Sequence, residues 1–500
     1  MSMPTPSVQP RYHLKAGIAA FFAFFLIIGG WAVAAPYDGT PDERQHLYRA
    51  AGVTAGEIFP ELVTNDQGSG ALQTVPQGMV REDRMCWTFR PYVSSACNGD
   101  PSADPRRVEV LSLAGRYNPL YYAVVGAPLN LWPGWSGIIV SRLISGAIAS
   151  VLLACAFALL LRVRGPLFAG AIAVVFTPMI AQMASAINPS GWELAAGIAF
   201  FASGIVIFLS PPEQRTTGAV WLLGVSAVLM AVLRSAGPFL LFCAVLALAI
   251  PVSWQKIKGW WGDRALRHTM IAVGIALVIA ATWLLAMRPG ELATKPPADL
   301  WTPQLAVSYQ FWLWGLYTDE LVGVMAWNDT LLPGPVYAVW QGAALLFVFL
   351  GFAAATWAGR IRFMLIFTGA VVVPTAIQLL AANSSGFVLQ GRYVLPLLVG
   401  FPLLGAWILE ERGFPDAWAR PLSKLFAVIL VPLHVLFLAY TMQRWQAGVE
   451  DKIKLSKIIG PTQWQPVLGS KLPLLLTILG ALALTVILWR AAAKAKAVNA

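Results

Sequence analysis

Long apolar runs alternate with short charged connectors along almost the whole chain. The runs lie near 17–35, 137–161, 166–184, 190–210, 218–233, 236–251, 268–287, 335–357, 361–380, 392–409, 422–441 and 471–490. Most match the roughly 17–25 residues that carry a helix across hydrocarbon. They predict an all-α polytopic membrane protein with twelve full spans. A thirteenth apolar stretch, NPLYYAVVGAPLNLW at 118–132, is short and broken by Pro128. It reads as a partly inserted helix, with a thirteen-span chain as the alternative.

The connectors orient the bundle. With Arg11 and Lys15 on the cytoplasmic side, Arg162 and Arg164, Arg215, Lys256, Lys258, Arg264 and Arg267, Arg360 and Arg362, Arg412, Arg420 and Lys424, and Arg490, Lys494 and Lys496 fall on that side too. Short outer loops carry few positive charges, as the positive-inside rule asks. The organisation expected is a cytoplasmic tail at 1–16 with a disordered start at 1–10, a first span at 17–35 and an extracytoplasmic loop at 36–136. A bundle at 137–490 with outer loops 288–334 and 442–470 follows, then a tail at 491–500. WAVAAPYD also resembles a signal-peptidase site, but the apolar run before it is long for a signal peptide, so it is read as a retained first helix.

In the first outer loop, PDERQHLYRAAGVTAGEIF predicts a short amphipathic helix on the outer interface. Thr40 is its N-cap and Pro41 its first residue, and Leu47, Ala50, Ala51, Val53 and Thr54 form the apolar stripe.

Composition agrees with this picture: 58% of residues are hydrophobic, 12% are charged, and the mean hydropathy is +0.66. The net charge of +11 resides mostly in connectors, with no basic stretch interleaved with aromatics, which argues against a nucleic-acid partner. Of four cysteines, Cys155 and Cys243 lie inside apolar runs and read as packing residues. Cys86 and Cys97 share one polar loop and read as an exported disulfide.

Ionisable residues at membrane edges are costly and raise functional hypotheses. In the orientation above, Asp42 and Glu43, Arg142, Glu193, Arg234, Asp319 and Glu320, Asp329 and Arg392 all converge on the outer face. Each has a plainer reading. The acidic pair favours the positive end of a helix dipole, the arginines snorkel to headgroups, and the loop acids are simply solvated. His46 stands one turn after the acidic pair, too few ligands for a metal by itself. Trp301, Trp312, Trp314, Tyr317 and Trp327 read first as an interfacial belt and second as a sugar-stacking surface. Transfer of a sugar from a polyprenyl phosphate would use this arrangement. Arginine suits a phosphate at headgroup depth, and a carboxylate accepts the proton of the attacking hydroxyl.

PDERQHLYRA resembles the first-loop acidic motif of the GT-C superfamily, multi-span glycosyltransferases that use lipid-phosphate sugars. NPLYY, NPSGW, VMAWNDTLLP and QGRYVLPLL together resemble a bacterial family of predicted integral membrane proteins, of unknown function, within that fold. The resemblance covers about 36 to 400. It implies a GT-C-like bundle of about 12–13 helices with interfacial helices in the first outer loop. It also implies Asp42 as base, with Glu43 beside it as a metal or acceptor contact. Arg392 and Tyr393, with Arg234 and Arg142, are expected at the donor phosphate. His46, Asn188, Glu193, Asp319, Glu320, Trp327, Asp329 and Gln390 are expected around the pocket. NPS stands where an acidic residue would follow Asn-Pro, so that turn is not expected to be an acid or metal site.

The expected activity is therefore transfer of a sugar from a polyprenyl-phosphate donor to a cell-envelope glycan, glycolipid or glycoprotein. It would occur on the extracytoplasmic face of a bacterial plasma membrane and, with one base, invert C1. No cofactor is named by the sequence, and a divalent metal stays open. The alternatives are a transporter or flippase of a lipid-linked or anionic substrate, and a non-catalytic assembly partner. Transporters usually carry internal repeats and midplane charges; this sequence has no visible repeat, and its charges gather at one face.

Overall fold

The computed structural model describes residues 10–65, 68–81, 86–163, 165–288, 301–449 and 453–494. The chain before residue 10, Arg164, the 289–300 part of one outer loop, 450–452 of the other and the last six residues of the tail lie outside them.

Among the described residues, nine helices are long and apolar enough to cross a membrane, or up to eleven if each of two bent pairs counts as one span, fewer than the twelve expected. The helix Thr217–Leu233 adds a shorter apolar element. Every run expected to span is thus helical. The 118–132 segment forms two short helices, Leu120–Val125 and Ala127–Leu131, neither of which is long enough to cross. Loop 288–334 contains a 20-residue helix, Pro303–Val322, that hydropathy did not single out because polar residues interrupt its apolar positions.

The first helix, Pro10–Ala34, lies between Trp135–Val163 and the last helix, Lys471–Lys494. Small residues permit the closest approach. A Cβ on Gly30 would run into the Thr477 hydroxyl, and one on Gly480 would stand 2.8 Å from the Ala23 carbonyl.

Helices Leu167–Val175 and Pro178–Ala184 meet at 59°. Pro178 has no N–H for the Val174 carbonyl, four residues earlier. Trp340 Nε1 donates to that oxygen at 2.8 Å, and His434 Nε2 donates to the Phe176 carbonyl at 3.0 Å with its ring stacked on Phe176. Two partner helices therefore satisfy the backbone groups the break releases.

The loop after the first span is more than a helix. Strands Leu62–Asn65 (β1), Gly68–Pro76 (β2) and Arg107–Ser112 (β3) form an antiparallel sheet in the order β1-β2-β3. This small sheet packs on helix Glu43–Thr54. That helix is buried from His46 to Val53, so it is covered by protein and does not lie on lipid as its amphipathic pattern suggested. Arg49 pins it: all five N–H groups point at the carbonyls of Glu57, Ile58 and Tyr117 and at the Gln73 side chain.

Cys86 and Cys97 are disulfide-bonded, as expected. Arg444 anchors their loop to helix Asp416–Ala447 through the Trp87 and Val93 carbonyls. Cys243 is buried, whereas Cys155 is exposed on its helix.

Candidate active site

The turn between the first span and helix Glu43–Thr54 builds the site. Thr40 was expected to cap that helix, but the N-cap is Asp42, in a left-handed conformation with φ 65° and no side-chain capping bond. A non-glycine residue there is uncommon and needs surrounding structure to hold it.

Glu43 and Arg142 supply that structure. Arg142 Nε and Nη2 each donate to the Glu43 carboxylate at 2.7 Å. The remaining guanidinium hydrogens reach the carbonyls of Ala32, Ala35 and Pro36. Glu43 also accepts from the backbone N–H groups of Gly39 and Ile187. A guanidinium offers five donors and a carboxylate about four acceptor sites, so both groups are saturated. Both are buried, and neither has capacity for a ligand. This corrects two expectations: Glu43 is not an open catalytic or metal-binding carboxylate, and Arg142 is not a phosphate ligand. Together they fix the turn that presents Asp42.

Asn188 secures the other side. Its Oδ1 accepts from Ser190 N–H as the N-cap of Pro189–Gly204, and its Nδ2 donates to the Pro41 carbonyl at 3.2 Å. It therefore acts on Asp42 through the backbone.

Held this way, the Asp42 side chain is 54% exposed, while Arg392, its partner across an ion pair of 3.6 Å, is 2% exposed. Arg392 is the contrast to Arg142. Its Nη2 donates to Tyr393 Oη at 3.4 Å, but among the described residues Nε and Nη1 have no hydrogen-bond partner. A buried guanidinium with unfilled donors is costly unless an anion completes it.

Arg234 joins the cluster. Its guanidinium carbon is 4.7 Å from the centre of the Tyr393 ring, and that of Arg392 is 5.2 Å away. Arg234 also pairs with the buried Glu193 at 3.9 Å, donates to the Ser190 hydroxyl and rests over Tyr117. Glu320 accepts from the Gly391 N–H at the start of the Arg392 helix. Burial pushes its carboxyl up, against the opposing effects of that N–H and of Arg392. Gly391 is obligatory there, because a Cβ would run into the Tyr317 carbonyl. Gln390 lies beside it with its Oε1 buried and unpartnered.

The other expected pocket residues have partners of their own. His46 is buried with Nδ1 2.7 Å from Tyr122 Oη and its ring stacked on Tyr122. Burial, then Arg234 and Arg392, hold its pKa well below the usual value, so it is a neutral packing group. Asp329 is the buried counter-ion of Arg444 at 2.8 Å. Asp319 accepts from Gln341 at 2.8 Å. Trp327 donates from Nε1 to the Asp38 carbonyl at 2.7 Å, strapping the turn from outside. Among the described residues, no group of three or more His, Cys, Asp or Glu side chains is placed to hold a metal.

Sequence reasoning passed over Asp38, Tyr117 and Ser190. Asp38 offered a signal as a third acid in YDGTPDE; Tyr117 and Ser190 offered only their neighbours' Asn-Pro turns. Asp38 is buried, with φ 58°. Oδ1 accepts from the Arg44 N–H at 2.8 Å, and Oδ2 has no hydrogen bond. Burial raises its pKa from 3.8 to about 7, with Arg44 opposing. A carboxyl that binds its proton more tightly in the folded state stabilises that state at low pH. The contribution is complete below about pH 4 and is lost as pH rises through about 7. Asp38→Asn keeps the Oδ1 acceptor and removes this dependence. Thermal unfolding at pH 5 and pH 8 is expected to show a smaller loss of Tm for the variant than for the natural chain.

An apolar groove of about 620 Å³ opens beside helices Pro303–Val322 and Gly391–Leu398, which carry Glu320 and Arg392. Trp314, Leu321, Trp340, Phe352, Leu395 and Val399 line it, and Leu395 follows Arg392 by one helical turn.

The sequence matches the family described as "Predicted membrane protein (DUF2142)" over residues 24–401. The chain belongs to that family. The match takes in the Asp42 turn and both site arginines, so the cluster lies wholly within the DUF2142 region. No curated protein matches the chain. Among solved structures it is similar to ArnT from Cupriavidus metallidurans, whose crystal structure is bound to undecaprenyl phosphate. Identity is 11% and the TM-score 0.41, over 95% of this chain and 77% of that one.

Proposed function

We propose that the chain is a membrane glycosyltransferase that moves a sugar from a polyprenyl-phosphate donor to an envelope glycan, glycolipid or glycoprotein. It works on the extracytoplasmic face of a bacterial plasma membrane. The observation that carries this reading is the pairing of one exposed carboxylate, Asp42, with a buried and incompletely bonded guanidinium, Arg392, 3.6 Å away.

In this reading the donor phosphate sits on Arg392, flanked by Arg234 and Tyr393, and the polyprenyl chain enters the groove past Leu395. The acceptor hydroxyl approaches from the open side of Asp42. Its oxygen forms the new bond to C1 while the bond from C1 to the phosphate oxygen breaks. The hydroxyl proton passes to Asp42, and the electron pair of the broken bond stays on the phosphate, where Arg392 stabilises it. A phosphate leaves without a general acid, so one carboxylate suffices. Direct displacement inverts C1.

The test begins with purification in native lipid and mass spectrometry of the co-purifying lipids. The natural chain is expected to retain a polyprenyl phosphate and Arg392→Ala to lose most of it, by on the order of tenfold or more. Equal retention by both, or transport of an unmodified lipid without transfer, would refute the proposal.

A further inference from the structure

Arg392 has two faces on which an oxyanion docks with two hydrogen bonds, Nε with Nη2 and Nη1 with Nη2. Both include Nη2, the atom nearest the Asp42 carboxylate. Nε and Nη1, the other halves of those faces, are buried and unpartnered among the described residues. Asp42 is held at 3.6 Å, beyond a good charge-assisted hydrogen bond, and its side chain is half open to solvent. Arg142 shows what this fold does with a guanidinium meant to stay closed, because every one of its donors is filled.

We infer that Asp42 is a displaceable counter-ion of Arg392, a latch that frees the base for the acceptor only when the donor's phosphodiester takes over the guanidinium. The inference rests on the glycosyltransferase reading and adds an order of events to it. Without donor, Asp42 lends Arg392 the negative charge that the guanidinium lacks. A phosphate on either face of Arg392 satisfies the open donors better and places like charge beside the carboxylate. Asp42 is expelled toward its exposed side, where the acceptor hydroxyl arrives. Donor binding therefore comes first, and an acceptor meeting the empty site finds the base occupied.

The latch predicts that removing the carboxylate strengthens donor binding, the reverse of what a residue that helps to hold the donor would do. The experiment uses the full-length protein in lipid nanodiscs, with a polyprenyl monophosphate as the probe and native mass spectrometry as the readout. Asp42→Asn is expected to bind the probe roughly three- to tenfold more tightly than the natural chain at low salt. The gain is expected to shrink as salt rises and to vanish in an Arg392→Ala background, or in Arg392→Lys should alanine impair folding. Unchanged or weaker binding by Asp42→Asn overturns the latch, as does the same gain without Arg392. If affinity is unchanged but transfer is lost, the latch falls and the transferase reading stands. If no form binds the probe, both fall.

Discussion

Asp42→Asn is expected to abolish sugar transfer, with a loss on the order of 10²–10⁴-fold, while the protein folds as before. The carboxylate is half exposed, makes no capping hydrogen bond and contributes one loose ion pair to the fold. Asparagine also tolerates the left-handed conformation at φ 65°. The measurement is transfer of labelled sugar from a polyprenyl-phosphate donor by protein in lipid, alongside a melting curve. Transfer by the variant at more than a tenth of the natural rate would remove Asp42 as the base.

Arg142→Ala is expected to have the opposite profile: a large loss of stability, with activity falling because the turn is lost. The pair it forms with Glu43 is buried on both sides. Removing the guanidinium leaves an uncompensated carboxylate and three carbonyls, those of Ala32, Ala35 and Pro36, without their donors. Breaking such a pair from one side costs about 3–5 kcal/mol. Thermal unfolding in detergent should show a Tm lowered by several degrees, and Glu43→Gln should lower it less because an amide still accepts from Arg142. If Arg142→Ala melts like the natural chain and loses only donor affinity, Arg142 is a phosphate ligand and not a brace for the turn.

Together these variants separate two neighbouring acids that are indistinguishable in sequence. Asp42 and Glu43 have the same charge and the same helix terminus, yet one is exposed and the other buried. The backbone turn at Asp42 sends one carboxylate toward Arg392 and solvent, the other toward Arg142 and the interior. Similarly, Arg142, Arg234 and Arg392 all stand at the edges of apolar runs. Only contacts from distant segments show that the first is saturated and the last incomplete.

Pattern along the chain was enough for the broad architecture. The apolar runs dictate helices because a backbone in hydrocarbon must satisfy its own hydrogen bonds, and every predicted span is helical. The Cys86–Cys97 bond followed from two cysteines in one polar loop, and the convergence of charges near Asp42 and Arg392 followed from their positions at run edges. The sheet of the first outer loop did not follow. Its strands are short and half-buried, and β2 carries two glycines in GSGALQTVP, so period-two alternation is weak there. The amphipathic stripe of Glu43–Thr54 announced a helix without saying whether lipid or protein covers it.

By itself the sequence determined that this is a multi-span helical membrane protein of the DUF2142 family with charge gathered near the ends of its spans, since those properties are local and additive along the chain. Tertiary structure alone decided which charges are closed and which are open. The state of a buried ion depends on how many donors and acceptors reach it, and for Asp42, Glu43, Arg142 and Arg392 those partners come from segments far away in sequence.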